Sequence, residues 1–123
     1  MRQYVETVFN DRIYGITATY TAPQHNDRLG QCEYLSFQAL IMSVGGTNTT
    51  LTVGYETSND QLNWIGSTGN IINAVDITGA NKTHSGTLTQ TNGLGAMRLK
   101  ISLGGTTPVE AHVAIIACGR TAG

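Results

Sequence analysis

The sequence predicts an all-β protein: a single domain over residues 1–123 that folds as an antiparallel β-sandwich of jelly-roll-like arrangement. Two observations predict this class. Apolar and polar residues alternate with a period of two along most of the chain, which is the pattern of strands with one buried and one exposed face. Turn-forming residues separate these runs at short intervals, as in a sandwich or small barrel. A chain of 123 residues is long enough to bury one hydrophobic core.

The first segment, "MRQYVETVFN", is strand-like and carries apolar side chains on both faces. Val5 and Phe9 would lie on one face, and Tyr4 and Val8 on the other. Two interpretations of residues 1–12 are open. The segment forms the first strand of its own sandwich, or it is an N-terminal arm that adds to the sheet edge of a neighbouring subunit through main-chain hydrogen bonds.

The next segments predict a strand, a loop and a central strand. "ITATYT" alternates as a half-buried strand does, and the polar residues 21–31 predict a loop because no helical periodicity with a cap is present. "EYLSFQALIMSV" is apolar on both faces, as is "AHVAIIAC" at 111–118, so each is a central strand or one whose outer face meets a partner. The partner interface is predicted at Tyr4, Val5, Phe9, Leu40 and Met42.

The stretch "YETSNDQLNWIG" predicts a hairpin, with a strand over 53–57, a turn over 58–61 and a returning strand over 62–65. Asp60 is its turn residue, because Asp side chains hydrogen-bond the local backbone. Trp64, the only tryptophan, is predicted to anchor this hairpin to the core by burying a large apolar ring. The alternative for Trp64 is a solvent-facing aromatic platform for a sugar or a protein.

The remaining chain repeats the same pattern. "AMRLKISL" directs Met97 and Leu99 to one face and Arg98 and Lys100 to the other. Turn signals, rich in Gly, Asn and Thr, occur at 45–49, 68–70, 78–81, 91–95 and 104–108.

The amino-acid composition restricts the classes of partner that the protein is expected to bind. Only 12% of residues are charged and the net charge is −1, which does not suit binding to nucleic acid or to an anionic membrane. The surface is instead rich in hydroxyl groups, with 18 threonines, and suits a chain that packs against other subunits. No signal peptide or membrane-spanning segment is recognisable, so a cytosolic origin is expected, where Cys32 and Cys118 stay reduced. A Cys32–Cys118 disulfide is the alternative.

The sequence contains no recognisable catalytic or metal motif. His25, His84 and His112 have no ligand partner at metal-binding spacing, no nucleophile elbow surrounds a serine, and the eight carboxylates are scattered. We therefore expect no enzyme activity, no cofactor and no metal.

Two stretches resemble small β-sandwich structural proteins of tailed bacteriophages. "TLTVGYETSNDQLNW" resembles their strand–turn–strand signature, roughly "TLTVQ.E.S.DG.NW", although Gln61 stands where the pattern has Gly. "MRLKISLGGTTPVEAHVAIIACGR" resembles their paired C-terminal strands, which commonly end near "GR". The likeness extends from about residue 13 to 120. A similar turn also occurs in discoidin-like sugar-binding sandwiches.

The resemblance implies a structural virion protein, most simply a head decoration or cement protein that binds the outside of the shell and stabilises it. Its partners would be the major capsid protein or other virion subunits, including further copies of itself in a homo-oligomer. It would act in the virion, assembled in the host cytoplasm. The alternative function is a carbohydrate- or receptor-binding β-sandwich module on a tail or surface.

Overall fold

Six strands and one helix make up the computed structural model, which describes residues 3–79, 82–89 and 95–120. In chain order the elements are β1 (Gln3–Tyr14), β2 (Thr19–Tyr20), α1 (Pro23–Gln31), β3 (Tyr34–Ser58), β4 (Ile65–Asp76), β5 (Thr83–Thr89) and β6 (Ala96–Arg120). All the strand pairs are antiparallel. The all-β prediction is confirmed.

The two long strands, β3 and β6, each take part in two sheets. In the first sheet, β1 and β5 flank the paired C-terminal half of β6 and N-terminal half of β3. In the second sheet, β2 and β4 flank the N-terminal half of β6 and the C-terminal half of β3. Counting each half as a strand, two four-stranded sheets result. This is the jelly-roll arrangement that the sequence predicts.

Two of the predicted turns are bends inside these long strands and do not end them. The signal at 45–49 lies within β3 and the signal at 104–108 lies within β6, opposite each other in the register. Gly46 and Gly105 have φ angles of 96° and 130°, which glycine adopts without strain. The glycines therefore redirect the strands from one sheet to the other while pairing continues.

The other turn signals have different outcomes. Residues 68–70 lie inside β4, so the prediction of a turn there is wrong. The register between β3 and β4 instead shifts repeatedly between Leu51 and Glu56 of β3. The extra residues of β4 are accommodated as β-bulges. Thr78 and Gly79 do form a turn, and residues 91–94 lie outside the described part of the chain.

A single core lies between the two sheets. The first sheet directs Phe37, Ile41 and Ile115 inwards, and the second directs Val53 and Leu99 inwards, each no more than 2% exposed. These residues come from alternating positions of β3 and β6, as the period of two requires. Burial of these side chains is the main source of the stability of the fold.

The prediction of a loop over residues 21–31 is wrong, because Pro23–Gln31 forms helix α1. Pro23 occupies the first turn, where its missing N–H costs nothing. The buried side of the helix is carried by His25, Asn26 and Leu29, so only one apolar residue marks its periodicity. Gly30 permits close packing, since a Cβ there would lie 2.8 Å from Cα of Ala96 at the start of β6. The helix thus packs on β6 without an apolar stripe.

Candidate interaction surfaces

The outer face of the first sheet carries three successive rows of uncharged side chains. Residues that pair directly across antiparallel strands share a face. The rows, with Met42 beside the last, are Val5, Cys118, Ser36 and Thr87; Thr7, Ile116, Gln38 and Ser85; and Asn10, Ala114, Leu40 and Thr83. We call these thirteen residues the neutral face.

Several apolar side chains of the neutral face are exposed to solvent. Val5 is 67% exposed and Met42 43% exposed, while Leu40 and Ile116 are half-buried. Cys118 is exposed on the same face. Apolar groups beside small hydroxyl-bearing ones give a surface that another protein can desolvate at little cost.

Charged side chains lie at the two ends of the neutral face. At one end the Arg12 guanidinium lies 3.6 Å from the Glu110 carboxylate. At the other end Arg120 lies over the ring of Tyr34, with 5.0 Å between the guanidinium carbon and the ring centroid. Beside Tyr34 a depression of about 340 Å³ opens, lined in part by Ser36, Thr87 and Cys118. The charged ends frame an uncharged centre, as in many protein interfaces.

Of the five predicted interface residues, the structure brings Val5, Leu40 and Met42 together on the neutral face. Phe9 is not there: it is 8% exposed and belongs to the core. The cause is a β-bulge between Thr7 and Phe9, which inserts one residue and reverses the alternation, so Val8 and Phe9 are both buried. Simple alternation along β1 could not reveal this.

Tyr4, the fifth predicted residue, is half-buried and faces helix α1. Its hydroxyl donates a hydrogen bond to Oε2 of Glu6 at 2.6 Å. The same carboxylate oxygen lies 3.1 Å from Nη1 of Arg28 and 3.3 Å from Nδ1 of the buried His25. We call these four residues the Glu6 cluster. It joins β1 to α1 through one carboxylate.

The Glu6 cluster shifts the acidity of its members. The hydrogen bond from Tyr4, with the charges of His25 and Arg28, lowers the pKa of the Glu6 carboxyl against the opposing effect of desolvation. Burial, and then the hydrogen bond to the carboxylate, raise the pKa of Tyr4. Glu6 therefore stays ionised to lower pH than an isolated glutamate.

The predicted turn at Asp60 is present between β3 and β4, but the prediction of a returning strand over 62–65 is wrong for 62–64, because β4 begins only at Ile65. The Asp60 carboxylate accepts the backbone N–H groups of Leu62 and Asn63, each at 2.9 Å, and the Ser58 hydroxyl at 2.9 Å. These hydrogen bonds hold the pKa of Asp60 well below its usual range, and the bond from the backbone N–H of Asn63 has the largest effect. Gln61 has a φ of 59°, which is a left-handed conformation. The phage signature that this stretch resembles has Gly at the corresponding position.

Trp64 does not join the core, contrary to the prediction of a core anchor. Its half-buried ring lies on the outer face of the second sheet, with its centroid 4.3 Å from the guanidinium carbon of Arg98. The ring of Tyr20 lies 3.9 Å from the same carbon. Oε1 of Glu56 accepts from Nε and Nη2 of Arg98 at 2.9 and 2.6 Å. We call Tyr20, Glu56, Trp64 and Arg98 the aromatic cluster.

Sequence reasoning missed Tyr20, Glu56 and Arg98 as members of a cluster. The alternation of "AMRLKISL" places Arg98 on the outer face, but the pairing of Glu56 with Arg98 depends on the register between β3 and β6. That register is fixed by the whole fold and has no local signal. The cluster joins β2, β3, β6 and the hairpin at a single guanidinium.

Cys32 and Cys118 are not joined by a disulfide in this structure. Cys32 is buried, and this burial raises the pKa of its thiol. Cys118 points to the neutral face and is exposed. The alternative of a Cys32–Cys118 disulfide is therefore not realised in this structure.

Within the described ranges, no group of three or more His, Cys, Asp or Glu side chains is placed to hold a metal ion. The only described helix, α1, is too short and polar to cross a membrane.

Comparison with known proteins identifies the fold. No protein-family model matches the sequence, and no curated sequence is significantly similar. A structure of infectious bursal disease virus, Gx strain, matches 99% of this chain with a TM-score of 0.58 and 11% identity, and the match covers 32% of the viral chain. The VP2 subviral particle of the same virus matches 98% of this chain with a TM-score of 0.54 and 13% identity, over 38% of its chain. This chain thus shares their fold and spans about a third of their length.

Proposed function

We propose that this protein is a structural component of a virus particle, a decoration or cement subunit that binds the outside of a bacteriophage head. The neutral face is the observation that carries the proposal. It includes the exposed apolar side chains of Val5 and Met42 and contains no charged side chain. A role in assembly needs such a surface and needs no catalytic group.

The shared fold supports this proposal. The matched structures are those of a virus and of a VP2 subviral particle, and their matched part shares the fold of this chain. The phage-like signature at residues 50–64 points to tailed bacteriophages as the class of virus. The low charge of the chain agrees with attachment through apolar and hydroxyl contacts.

The neutral face supplies about half of the area that each partner buries in a typical stable interface. Four strands spaced about 4.8 Å apart, over three rows separated by about 7 Å, give a patch on the order of 400 Å². Edge side chains and the adjoining depression extend this toward the roughly 800 Å² that a typical partner buries. We therefore assign attachment to this face.

The direct test is binding of the purified protein to empty head shells that lack it, measured by co-sedimentation. Leu40→Asp and Met42→Asp each place a carboxylate on the neutral face, and we expect at least about tenfold weaker binding because the charge must be desolvated. Leu62→Asp is the matched control, since Leu62 is 83% exposed but lies on the hairpin. It should bind as the unmodified protein does.

Two outcomes would contradict the proposal at different points. If the unmodified protein does not bind shells, the proposed function fails. If all three variants bind equally well, attachment uses another surface and the role of the neutral face is wrong. Melting temperatures of the variants check that each is folded before binding is compared.

A further inference from the structure

We infer that the aromatic cluster on the outer face of the second sheet is a binding site for neutral saccharides. The second sheet forms the opposite side of the sandwich from the neutral face. A subunit attached to a shell through the neutral face would therefore present the aromatic cluster to the surrounding solution.

Two aromatic rings of the cluster are available to a ligand. The Arg98 guanidinium lies about equally close to Tyr20 and Trp64, at 3.9 and 4.3 Å from their centroids, so it is packed between the two rings. It covers one face of each ring. Tyr20 remains 37% exposed and Trp64 only half-buried, which leaves ring surface open to a ligand. The C–H groups on one side of a pyranose ring pack on such surfaces.

The charge of the cluster favours an uncharged ligand. Oε1 of Glu56 receives two hydrogen bonds from Arg98, so the guanidinium is already neutralised. The side chains of Arg98 and Glu56 are only 24% and 15% exposed, which holds the pair in place. An anionic ligand would have to compete with Glu56 for Arg98. A sugar needs only polar groups at the margin of the rings.

Polar side chains lie in the row next to the Arg98–Glu56 pair on the same face of the sheet. Lys100 pairs directly with Tyr20 and with Gly54, and Gly54 pairs with Asn70, so these residues form one row on the outer face. Gly54 adds no side chain to the middle of that row. The Asn70 side chain lies over Gly54, since its Oδ1 would be 2.9 Å from a Cβ added there. Lys100 and Asn70 thus supply donors and an acceptor for sugar hydroxyls.

Such a shallow site is weak in a single subunit. Two partly exposed rings and a few hydrogen bonds give a dissociation constant on the order of 1 mM for a monosaccharide. Many copies on one particle would bind a polysaccharide far more tightly, because each further contact is intramolecular.

Trp64 provides a direct readout, because it is the only tryptophan of the chain. We would titrate the purified protein with neutral hexoses, N-acetylhexosamines and their oligomers, and follow tryptophan fluorescence. We expect a saturable change with at least one sugar. Amide chemical shifts from 54 to 66 and 98 to 100 should move in the same titration, which locates the site without any substitution.

Tyr20→Ala removes one ring and should weaken binding at least tenfold, while Tyr20→Phe keeps the ring and should retain it. The matched control is Tyr34→Ala, which removes a 44% exposed tyrosine that also lies against an arginine, but on the first sheet. It should bind normally. Binding to free oligosaccharides is then compared with binding to the same sugars on glycolipid vesicles. This comparison distinguishes a soluble saccharide ligand from one that is attached to a surface.

The inference is overturned if no saccharide at about 100 mM changes the fluorescence or the amide shifts, or if Tyr20→Ala binds as tightly as Tyr34→Ala. The shell-binding test is independent, since sugar titration uses the free protein. Failure of one assay therefore leaves the other proposal standing.

Discussion

Trp64 stacks on Arg98 outside the sandwich, with 4.3 Å between the ring centroid and the guanidinium carbon. The hairpin between β3 and β4 is thus held against the second sheet by a charged partner and not by the core. Tryptophan suits this position, because its face attracts a cation more strongly than that of the other aromatic residues. The stability of the hairpin therefore depends on both Arg98 and Trp64.

The first prediction is that Trp64→Ala lowers the free energy of unfolding by about 1–2 kcal/mol. A core tryptophan would cost about 3–5 kcal/mol, but a partly buried ring on the outer face loses only a cation–π contact and part of its burial. Urea unfolding followed by far-UV circular dichroism measures the difference, because the variant has no tryptophan fluorescence. Trp64→Phe is the control and should lose less. A cost above about 3 kcal/mol would show that the ring acts as a core residue.

The period of two was sufficient to predict the sandwich from the sequence. It correctly places Leu35, Phe37 and Ile41 inside and Leu40 and Met42 outside, because strand geometry alone decides which face a residue occupies. It fails where one strand gains a residue, as at the bulge that buries both Val8 and Phe9. Bulges depend on the partner strand and leave no reliable mark in a single sequence.

The candidate surfaces were predictable only in part. Val5, Leu40 and Met42 were found because apolar residues on both faces of a strand are visible in the sequence. The aromatic cluster was not found, because Tyr20, Glu56 and Arg98 are far apart in the chain and meet only through the register of three strands. Helix α1 was missed because His25 and Asn26 carry its buried side, and neither contributes to an apolar periodicity.

The second prediction concerns the bend of β3. Gly46→Ala should destabilise the protein by about 2–4 kcal/mol, because its φ is 96° and a Cβ would lie 2.7 Å from the Pro108 carbonyl oxygen. Gly79→Ala is the matched control, with a φ of 94° and no atom within 4 Å of the added Cβ. It should cost about 1 kcal/mol, from backbone strain alone. Equal losses in the two variants would contradict the close packing at Gly46.

The third prediction tests the two interpretations of the N-terminal segment. In the structure β1 pairs with β6 of the same chain, and Val8 and Phe9 lie in the core. Deletion of residues 1–9 should therefore remove about 5 kcal/mol or more, which is comparable to the whole stability of a small domain. Far-UV circular dichroism and thermal melting measure the loss. A truncated protein that stays folded but no longer associates would instead support the N-terminal arm.

The fourth prediction is that attachment to a shell is insensitive to salt. The rows of the neutral face contain no charged side chain, so there is no charge–charge attraction at its centre for ions to screen. Decorated shells washed with increasing sodium chloride, up to about 1 M, should retain most of the protein. Release at moderate salt would point to the charged ends, Arg12 with Glu110 and Arg120, as the main contacts.

The fifth prediction is a pH dependence that originates in the Glu6 cluster. The pKa of Glu6 is lower in the folded protein than in the unfolded chain, chiefly because of the hydrogen bond from Tyr4. The folded state therefore favours the ionised carboxylate. This contribution to stability is complete above the unfolded pKa of about 4.3 and is lost as the pH falls through the lower folded pKa.

Glu6→Gln removes this contribution, because the amide cannot ionise and presents only one acceptor oxygen. The variant should be less stable than the unmodified protein at pH 7, and the difference should shrink as the pH falls below about 4. Urea midpoints between pH 7 and 2.5 measure it. Asp11→Asn, at an exposed carboxylate elsewhere on β1, is the control. A stability difference that is the same at every pH would show that Glu6 acts through packing, because a contribution from its charge must disappear when both states bind the proton.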